Sequence, residues 1–263
     1  RVKSLRFRRS MLRLVGDHGL GTAFRRLLHV VRTAGLFQTL VILFSALDDK
    51  YLKCFDRRYR IKTSGFIRLH NTSFDRARLA DATQYGPVNG WGLRRLFRDL
   101  QLPKHLHFVD FGCGLGRACI LAAEYGFAKV TGVELAPELC AGARANLQSC
   151  RAPGGNLSPI TILEMDVLDY CQRTEDDVFF MYRPFSGDFF RRVLDLIATR
   201  AQALGKPMTV IYSERMAVPG SFRETLDQHP AFRKTHETGI WGQAFYLYQC
   251  GRVAGPTTSQ GGA

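Results

Sequence analysis

A glycine-rich turn at residues 110–117 is the part of this sequence whose residue types and spacing best suit ligand chemistry. It reads D-F-G-C-G-L-G-R, follows an apolar strand and opens a helix. Glycines let the backbone approach a ligand closely, and a helix N-terminus offers free N–H groups. A nicotinamide dinucleotide is the competing ligand, but its binding loop requires Gly or Ala where Arg117 stands. The turn therefore favours a ligand-binding loop of another kind.

The elements around this turn alternate between strands and helices, which indicates a parallel sheet covered on both faces. Helices are predicted through Trp91–Phe97 and at Leu115–Tyr125, Pro137–Gln148 and about Asp188–Ala203. Strands are predicted at His107–Phe111, Lys129–Glu134, Ile160–Met165, Asp177–Tyr182 and Pro207–Tyr212.

The end of the sequence breaks the alternation. Phe232–His236 and Ala244–Tyr248 are both strand-like, and only a short glycine-containing loop separates them. Such a loop can join antiparallel strands but is too short for a parallel crossover. We therefore expect the sheet to finish in a hairpin.

With these features, residues 84–250 resemble the class I S-adenosylmethionine-dependent methyltransferases. The resemblance rests on the glycine turn, on Glu134 at the end of the second strand, on Asp166 just after the third strand, and on the closing hairpin. It implies an α/β fold with a Rossmann-like, doubly wound, seven-stranded sheet whose last strand is reversed. S-adenosyl-L-methionine is the implied cofactor.

The same resemblance implies the cofactor-binding residues. Glu134 would accept hydrogen bonds from both ribose hydroxyls, which needs an acceptor-only group, and Asp166 would take the adenine amino group. Asp110 would face a cationic part of the ligand or hold the loop. Tyr85 is the remaining residue that we expect at the cofactor. The glycines that would cradle the methionine and ribose are Gly112, Gly114 and Gly116.

The methyl-acceptor position of the family follows the fourth strand, which here runs into Tyr182-Arg183-Pro184-Phe185. Enzymes that methylate amide or exocyclic amino nitrogens carry Asn or Asp, then Pro-Pro and an aromatic residue. Arginine has only donors, so Arg183 counts against adenine-N6 and glutamine methylation and could instead bind a carboxylate or phosphate.

We expect Tyr182, Arg183 and Phe185 to line the acceptor pocket, with Tyr85 and Trp241 as possible walls. A purely structural role, packing at the strand end, is the alternative for Tyr182 and Phe185. Glu214, past the fifth strand, is a further candidate base.

A second similarity reaches further upstream, to a group of small bacterial methyltransferases with a D-R-R-Y/F…T-S-G segment. Asp56–Tyr59 and Thr63–Gly65 match that segment. The group has Tyr-Asn-Pro-Phe at the acceptor position, so Arg183 departs from it, and it implies no substrate.

The positive charge is concentrated at the front of the chain. Of a formal net charge of +14, residues 1–70 hold +12, from 16 Lys/Arg against 4 Asp/Glu. Apolar residues interleaved with the arginines suggest a basic amphipathic helix. It either meets an anionic partner, such as a nucleic acid, a membrane surface or an acidic protein, or is a solvated helix face. We predict three parts: a helical, basic extension at 1–83, the cofactor-binding domain at 84–252, and a disordered tail at 253–263.

Composition excludes several classes of protein. With 46% hydrophobic and 11% aromatic residues the chain is not mainly disordered, and its most apolar stretch, about a dozen residues, is shorter than the roughly 20 of a membrane span. Seven cysteines without a C-x-x-C motif indicate reduced thiols and no metal site. We therefore expect a cytoplasmic protein, with peripheral membrane contact left open.

The favoured function is a methyltransferase acting on a protein side chain or a small molecule. The alternatives are an RNA methyltransferase, and a nucleic-acid- or membrane-surface-binding protein built on the same scaffold. The intact glycine turn and Glu134 favour an enzyme, whereas the basic front segment fits every one of these readings.

Overall fold

The computed structural model of the 263-residue chain describes residues 50–65, 86–152, 155–183, 185, 187–215, 222–240 and 242–251. The chain divides into two compact units, residues 1–55 and 56–263. In the first unit the described residues, 50–55, are helical, and the helix labelled α1 covers 50–59. The proposed basic amphipathic helix and the predicted tail lie outside the described residues.

The second unit is built on one seven-stranded sheet in the order β3-β2-β1-β4-β5-β7-β6. The first five strands run parallel, and β7 is antiparallel to both β5 and β6. The strands are β1 His107–Phe111, β2 Lys129–Glu134, β3 Ile160–Glu164, β4 Val178–Tyr182, β5 Met208–Arg215, β6 Arg233–Ile240 and β7 Gln243–Cys250.

Helices connect the parallel strands, as crossovers in a parallel sheet require. Local sequence sets their ends: Asn89 caps α2 by accepting from Gly92 N–H, Pro137 stands in the first turn of α4, and a left-handed Gly126 ends α3. The helices after α1 are α2 Gly90–Leu100, α3 Arg117–Tyr125, α4 Pro137–Ser149, α5 Val167–Cys171, α6 Gly187–Leu204 and α7 Arg223–Asp227.

The Rossmann-like sheet and its reversed terminal hairpin are therefore confirmed. Within the described ranges, every strand predicted from the sequence is present within a few residues of its expected bounds. The differences are local. β5 continues three residues beyond Tyr212, to Arg215, and the short helices α5 and α7 were not predicted.

Apolar side chains cover both faces of the sheet. On one face Phe108 lies 5.7 Å from Phe97 of α2 and 6.1 Å from Phe180 of β4, between ring centroids. On the other face Phe111 and Phe179, 5.5 Å apart, belong to the core under α5, α6 and α7. Because the parallel strands end at one edge, the loops that follow β1, β2, β3 and β4 meet there, where doubly wound sheets bind ligands.

Candidate functional site

The glycine loop, residues 110–116, enters α3 through three left-handed glycines. The angle φ is 71° at Gly112, 54° at Gly114 and 84° at Gly116, a region that favours glycine. The N–H of Gly112 donates to the carbonyl of Val133 over 2.9 Å, which ties the loop to the end of β2. Gly116 is the N-cap residue of α3 and forms no side-chain cap, and the N–H groups of a helix N-terminus suit a polar or anionic ligand.

Glu134, the last residue of β2, joins this loop to the turn before α4. Its Oε2 accepts from Gly114 N–H over 3.0 Å, while Oε1 accepts from Leu135 N–H over 2.9 Å and from Ala136 N–H over 3.0 Å. Burial raises the pKa of Glu134, although these three N–H donors oppose the shift. The carboxylate therefore orders the loop and keeps one of its roughly four lone-pair sites for a further donor.

Asp110 lies buried in β1 on the same side of the sheet as α3. Its Oδ2 is 3.8 Å from Cys119 Sγ, a weak thiol donor. Burial, and after it the negative charge of Glu134, raises the pKa of Asp110 to about 8. The buried Asp110 carboxyl therefore favours its neutral form beside Glu134.

Asp166 comes to the same edge through the end of β3. The N–H of Met165 donates to the carbonyl of Glu134 over 3.0 Å, which sets the two chain segments side by side. Asp166 then caps α5, with Oδ1 accepting from Leu168 N–H over 2.8 Å. The structure thus brings Asp110, Glu134, Asp166 and the three loop glycines to the carboxyl ends of three neighbouring strands.

The acceptor candidates lie at the end of β4. Arg183 has φ 46°, a left-handed conformation that is uncommon for residues other than glycine and is typical of functional sites. Its guanidinium carbon lies 5.2 Å from the ring centroid of Phe222. The Tyr182 hydroxyl accepts from Arg215 Nε over 3.3 Å. Phe185 packs differently, since its ring lies 5.0 Å from that of Phe189, on the core.

Arg215 is the residue at this edge that the sequence does not reveal, because the predicted fifth strand ends at Tyr212 whereas β5 continues to Arg215. β5 pairs with all eight residues of β7, and the length of that last apolar run was the available signal. Glu214, the candidate base, is buried and accepts from the Tyr212 hydroxyl over 3.3 Å. Ser213, whose side chain lies on the opposite face of β5 from that of Glu214, accepts from Gln243 Nε2, and Gln243 Oε1 accepts from Asn89 N–H.

Two expected pocket residues, Tyr85 and Trp241, lie outside the described residues, as do Pro184 and Ser186. No group of three or more His, Cys, Asp or Glu side chains suited to a metal ion forms among the residues that are described. Over the same ranges, no helix has both the length and the apolar character needed to cross a bilayer.

One part of the chain matches a known protein family. Residues 109–181 match the family described as a methyltransferase domain. No curated protein matches the chain.

Among solved structures, the ribosomal protein L11 methylase from Lactobacillus delbrueckii subsp. bulgaricus is similar at 15% identity, over 61% of this chain and 78% of that one, with a TM-score of 0.47. Magnesium protoporphyrin IX methyltransferase from Synechocystis, solved with S-adenosylmethionine bound, is similar at 18% identity, over 64% and 86%, with a TM-score of 0.44. A TehB-like methyltransferase from Corynebacterium glutamicum is similar at 16% identity, over 60% and 86%, with a TM-score of 0.42.

Residues 109–181 therefore match a methyltransferase domain, and the seven-stranded sheet has the order and the reversed last strand that we expect of an S-adenosylmethionine-dependent enzyme. The residues present fit that cofactor. Left-handed glycines and a helix N-terminus provide a close backbone surface, and the buried Glu134 carboxylate provides an acceptor for hydroxyl donors.

Proposed function

We propose that this methyltransferase acts on a protein side chain or a small molecule that carries a carboxylate or phosphate group. The observation behind the proposal is the pair of guanidinium-bearing residues, Arg183 and Arg215, at the ends of the adjacent strands β4 and β5. This is the edge to which the glycine loop and Glu134 also belong.

The cofactor side of the proposal follows from donor and acceptor types. Gly112, Gly114 and Gly116 would cradle the methionine and ribose, Glu134 would accept from the ribose hydroxyls, and Asp166 from the adenine amino group. Asp110, in the strand that leads into the loop, would support the loop, and Tyr85 would complete the cofactor pocket. The cofactor supplies an electrophilic methyl group on a sulfonium. The protein's contribution is to hold the acceptor in line and to exclude water.

The acceptor side is assigned to Tyr182, Arg183 and Phe185. A guanidinium offers only N–H donors and pairs with carboxylate or phosphate in a two-pronged geometry. Tyr182 and Arg215, joined by a hydrogen bond, would add a hydroxyl and a second cation. Methyl transfer needs a general base only when the acceptor arrives protonated, and Glu214 is the candidate for that case.

Arg183→Ala tests the acceptor assignment. We expect the wild type to transfer labelled methyl groups to small carboxylic acids or phosphate monoesters in preference to their neutral amides and esters. The variant should lose this preference by about tenfold or more, as removal of a charged hydrogen bond does. Affinity for S-adenosylhomocysteine, measured by calorimetry, should stay unchanged.

Arg192→Ala, in an exposed position of α6, is the matched control and should behave as the wild type. Equal loss of acceptor use and cofactor affinity in Arg183→Ala would contradict the assignment. A wild type that prefers neutral acceptors would contradict it as well.

The charge of residues 1–70, +12, supports a second element of the proposal. We propose that the basic extension at 1–83 binds an anionic partner and thereby brings the methyl acceptor to the domain at 84–252. The proposed setting is a cytoplasmic protein. RNA methylation is the main variant. Binding to homopolymeric RNA or to anionic vesicles that falls steeply with salt would support docking. Salt-independent or undetectable binding to both would refute it.

A further inference from the structure

A segment upstream of the cofactor domain, which we call the strap (residues 56–65), has an unusual local geometry. α1 ends at residue 59, and Arg60, with φ 56°, reverses the chain so that Ile61 N–H donates to the Asp56 carbonyl over 2.9 Å. The Asp56 carboxylate then accepts from Thr63 N–H at 2.8 Å, Thr63 Oγ1 at 2.6 Å and Ser64 N–H at 2.7 Å. The strap is therefore a preformed, closed turn.

The strap holds a buried guanidinium, that of Arg117, the first residue of α3. Only 2% of this side chain is exposed. Burial would raise the pKa of Asp56, but the hydrogen bonds from Thr63 and Ser64 and the charge of Arg117 outweigh it and lower that pKa. The Arg117 contacts are Nε to Thr63 Oγ1 at 2.7 Å, Nη2 to Asp56 Oδ1 at 3.0 Å and to Ser64 Oγ at 3.3 Å, and Nη1 to the Val88 carbonyl at 3.4 Å.

A second buried side chain, Asn146 of α4, makes a parallel connection. Its Oδ1 accepts from Lys62 N–H over 2.8 Å, and its Nδ2 donates to the Lys62 carbonyl over 3.2 Å and to the Leu115 carbonyl over 3.0 Å. Leu115 and Arg117 stand on either side of Gly116, the last glycine of the loop. The strap thus holds both neighbours of that left-handed glycine.

We propose that the strap positions the glycine loop for cofactor binding, with Arg117 and Asn146 as the positioning residues. The inference rests on the proposed cofactor site. A buried ion pair is weak evidence for stability, because desolvating two charges offsets their attraction, whereas a guanidinium held by four acceptor groups sets geometry. A loop that is ordered before the ligand arrives binds it with a smaller entropic cost.

Thr63→Val is the sharpest test, because it keeps the shape of a buried side chain and removes only the hydroxyl between Asp56 and Arg117. We expect affinity for S-adenosylhomocysteine to fall about threefold to tenfold, as for other residues that act through a network. Hydrogen exchange in the peptide covering residues 110–118 should become faster. Asn146→Ala should do the same through Leu115.

Tyr248→Phe is the matched control, since it removes one buried-ring hydroxyl, bonded to Asp227 over 2.8 Å, at the far side of the sheet. It should lower the melting temperature without changing cofactor affinity or loop exchange. The proposal is overturned if Thr63→Val and Asn146→Ala lower the melting temperature but leave the rate of hydrogen exchange in residues 110–118 equal to that of Tyr248→Phe. A wild-type protein that does not bind S-adenosylhomocysteine would refute the proposed cofactor site. The hydrogen-exchange rates of residues 110–118 would still show whether the strap orders the glycine loop.

Discussion

Replacement of Glu134 by glutamine removes one charge and exchanges one acceptor oxygen for an NH₂ donor. The carboxylate accepts three backbone N–H groups, from Gly114, Leu135 and Ala136, at 2.9–3.0 Å. The amide oxygen can keep the two bonds from Leu135 and Ala136. Its NH₂ group then faces the Gly114 N–H, so that donor meets donor at the centre of the glycine loop.

The expected effect on stability follows from the lost hydrogen bond between Gly114 N–H and residue 134. A hydrogen bond to a charged group contributes about 1.5–3 kcal/mol. Part of the loss is offset in the free protein, because Glu134 no longer bears a buried charge beside Asp110. We therefore expect the free energy of unfolding to change by about 1 kcal/mol or less. Cofactor binding loses, in addition, the charged acceptor that Glu134 would offer to the ribose hydroxyls, and a loss of about 2 kcal/mol weakens binding roughly 30-fold.

Titration calorimetry with S-adenosylhomocysteine measures this effect. Glu164→Gln is the control, because Glu164 pairs in register with Glu134 on the next strand and is exposed, with Arg144 3.8 Å away. It should bind like the wild type. If Glu134→Gln binds within about twofold of the wild type, Glu134 does not contact the cofactor and the site is wrongly assigned.

Two further predictions concern residues of β1 and β2 that lie next to the glycine loop, Asp110 and Gly132. The pKa of Asp110 is about 8 in the folded protein against an ordinary value of 3.8, so between these values the folded protein keeps a proton that the unfolded chain releases. The free energy of unfolding therefore falls as the pH rises from about 4 to about 8, by at most about 1.4 kcal/mol per pH unit. Measured by urea unfolding at pH 5 to 8, the free energy of unfolding should fall less with pH in Asp110→Asn than in the wild type. Equal pH dependence in the two proteins would refute the assignment to Asp110. In Gly132→Ala the new Cβ would lie 2.7 Å from Cys113 Sγ and 2.9 Å from Cys119 Sγ, so urea unfolding should show a loss of about 1–3 kcal/mol. Adding Cys113→Ala should restore part of the lost free energy of unfolding. Purely additive losses in the double variant would show that the new Cβ does not clash with Cys113 Sγ.

Much of the fold could be predicted because it depends on short-range patterns. Apolar strands such as His107–Phe111, Pro137 in the first turn of a helix and the short link before β7 are local signals, and the structure confirms what they predict. Glu134 and Asp166 could also be placed. Parallel strands end at a common edge, so a residue that closes a strand is assigned to that edge without any knowledge of packing.

The roles of Asp56, Arg117 and Asn146 could not be derived in that way. Each contact of Arg117 with the strap spans more than 50 residues of sequence, and a D-R-R-Y or T-S-G pattern carries no sign of its partner. Arg215 joined Tyr182 only through the register of β5 with β4. The sequence alone determined the elements, the edge at which the glycine loop lies and the acidic residues there. Tertiary packing decided which distant polar groups are buried together, because a buried charge must find its partners wherever the fold brings them.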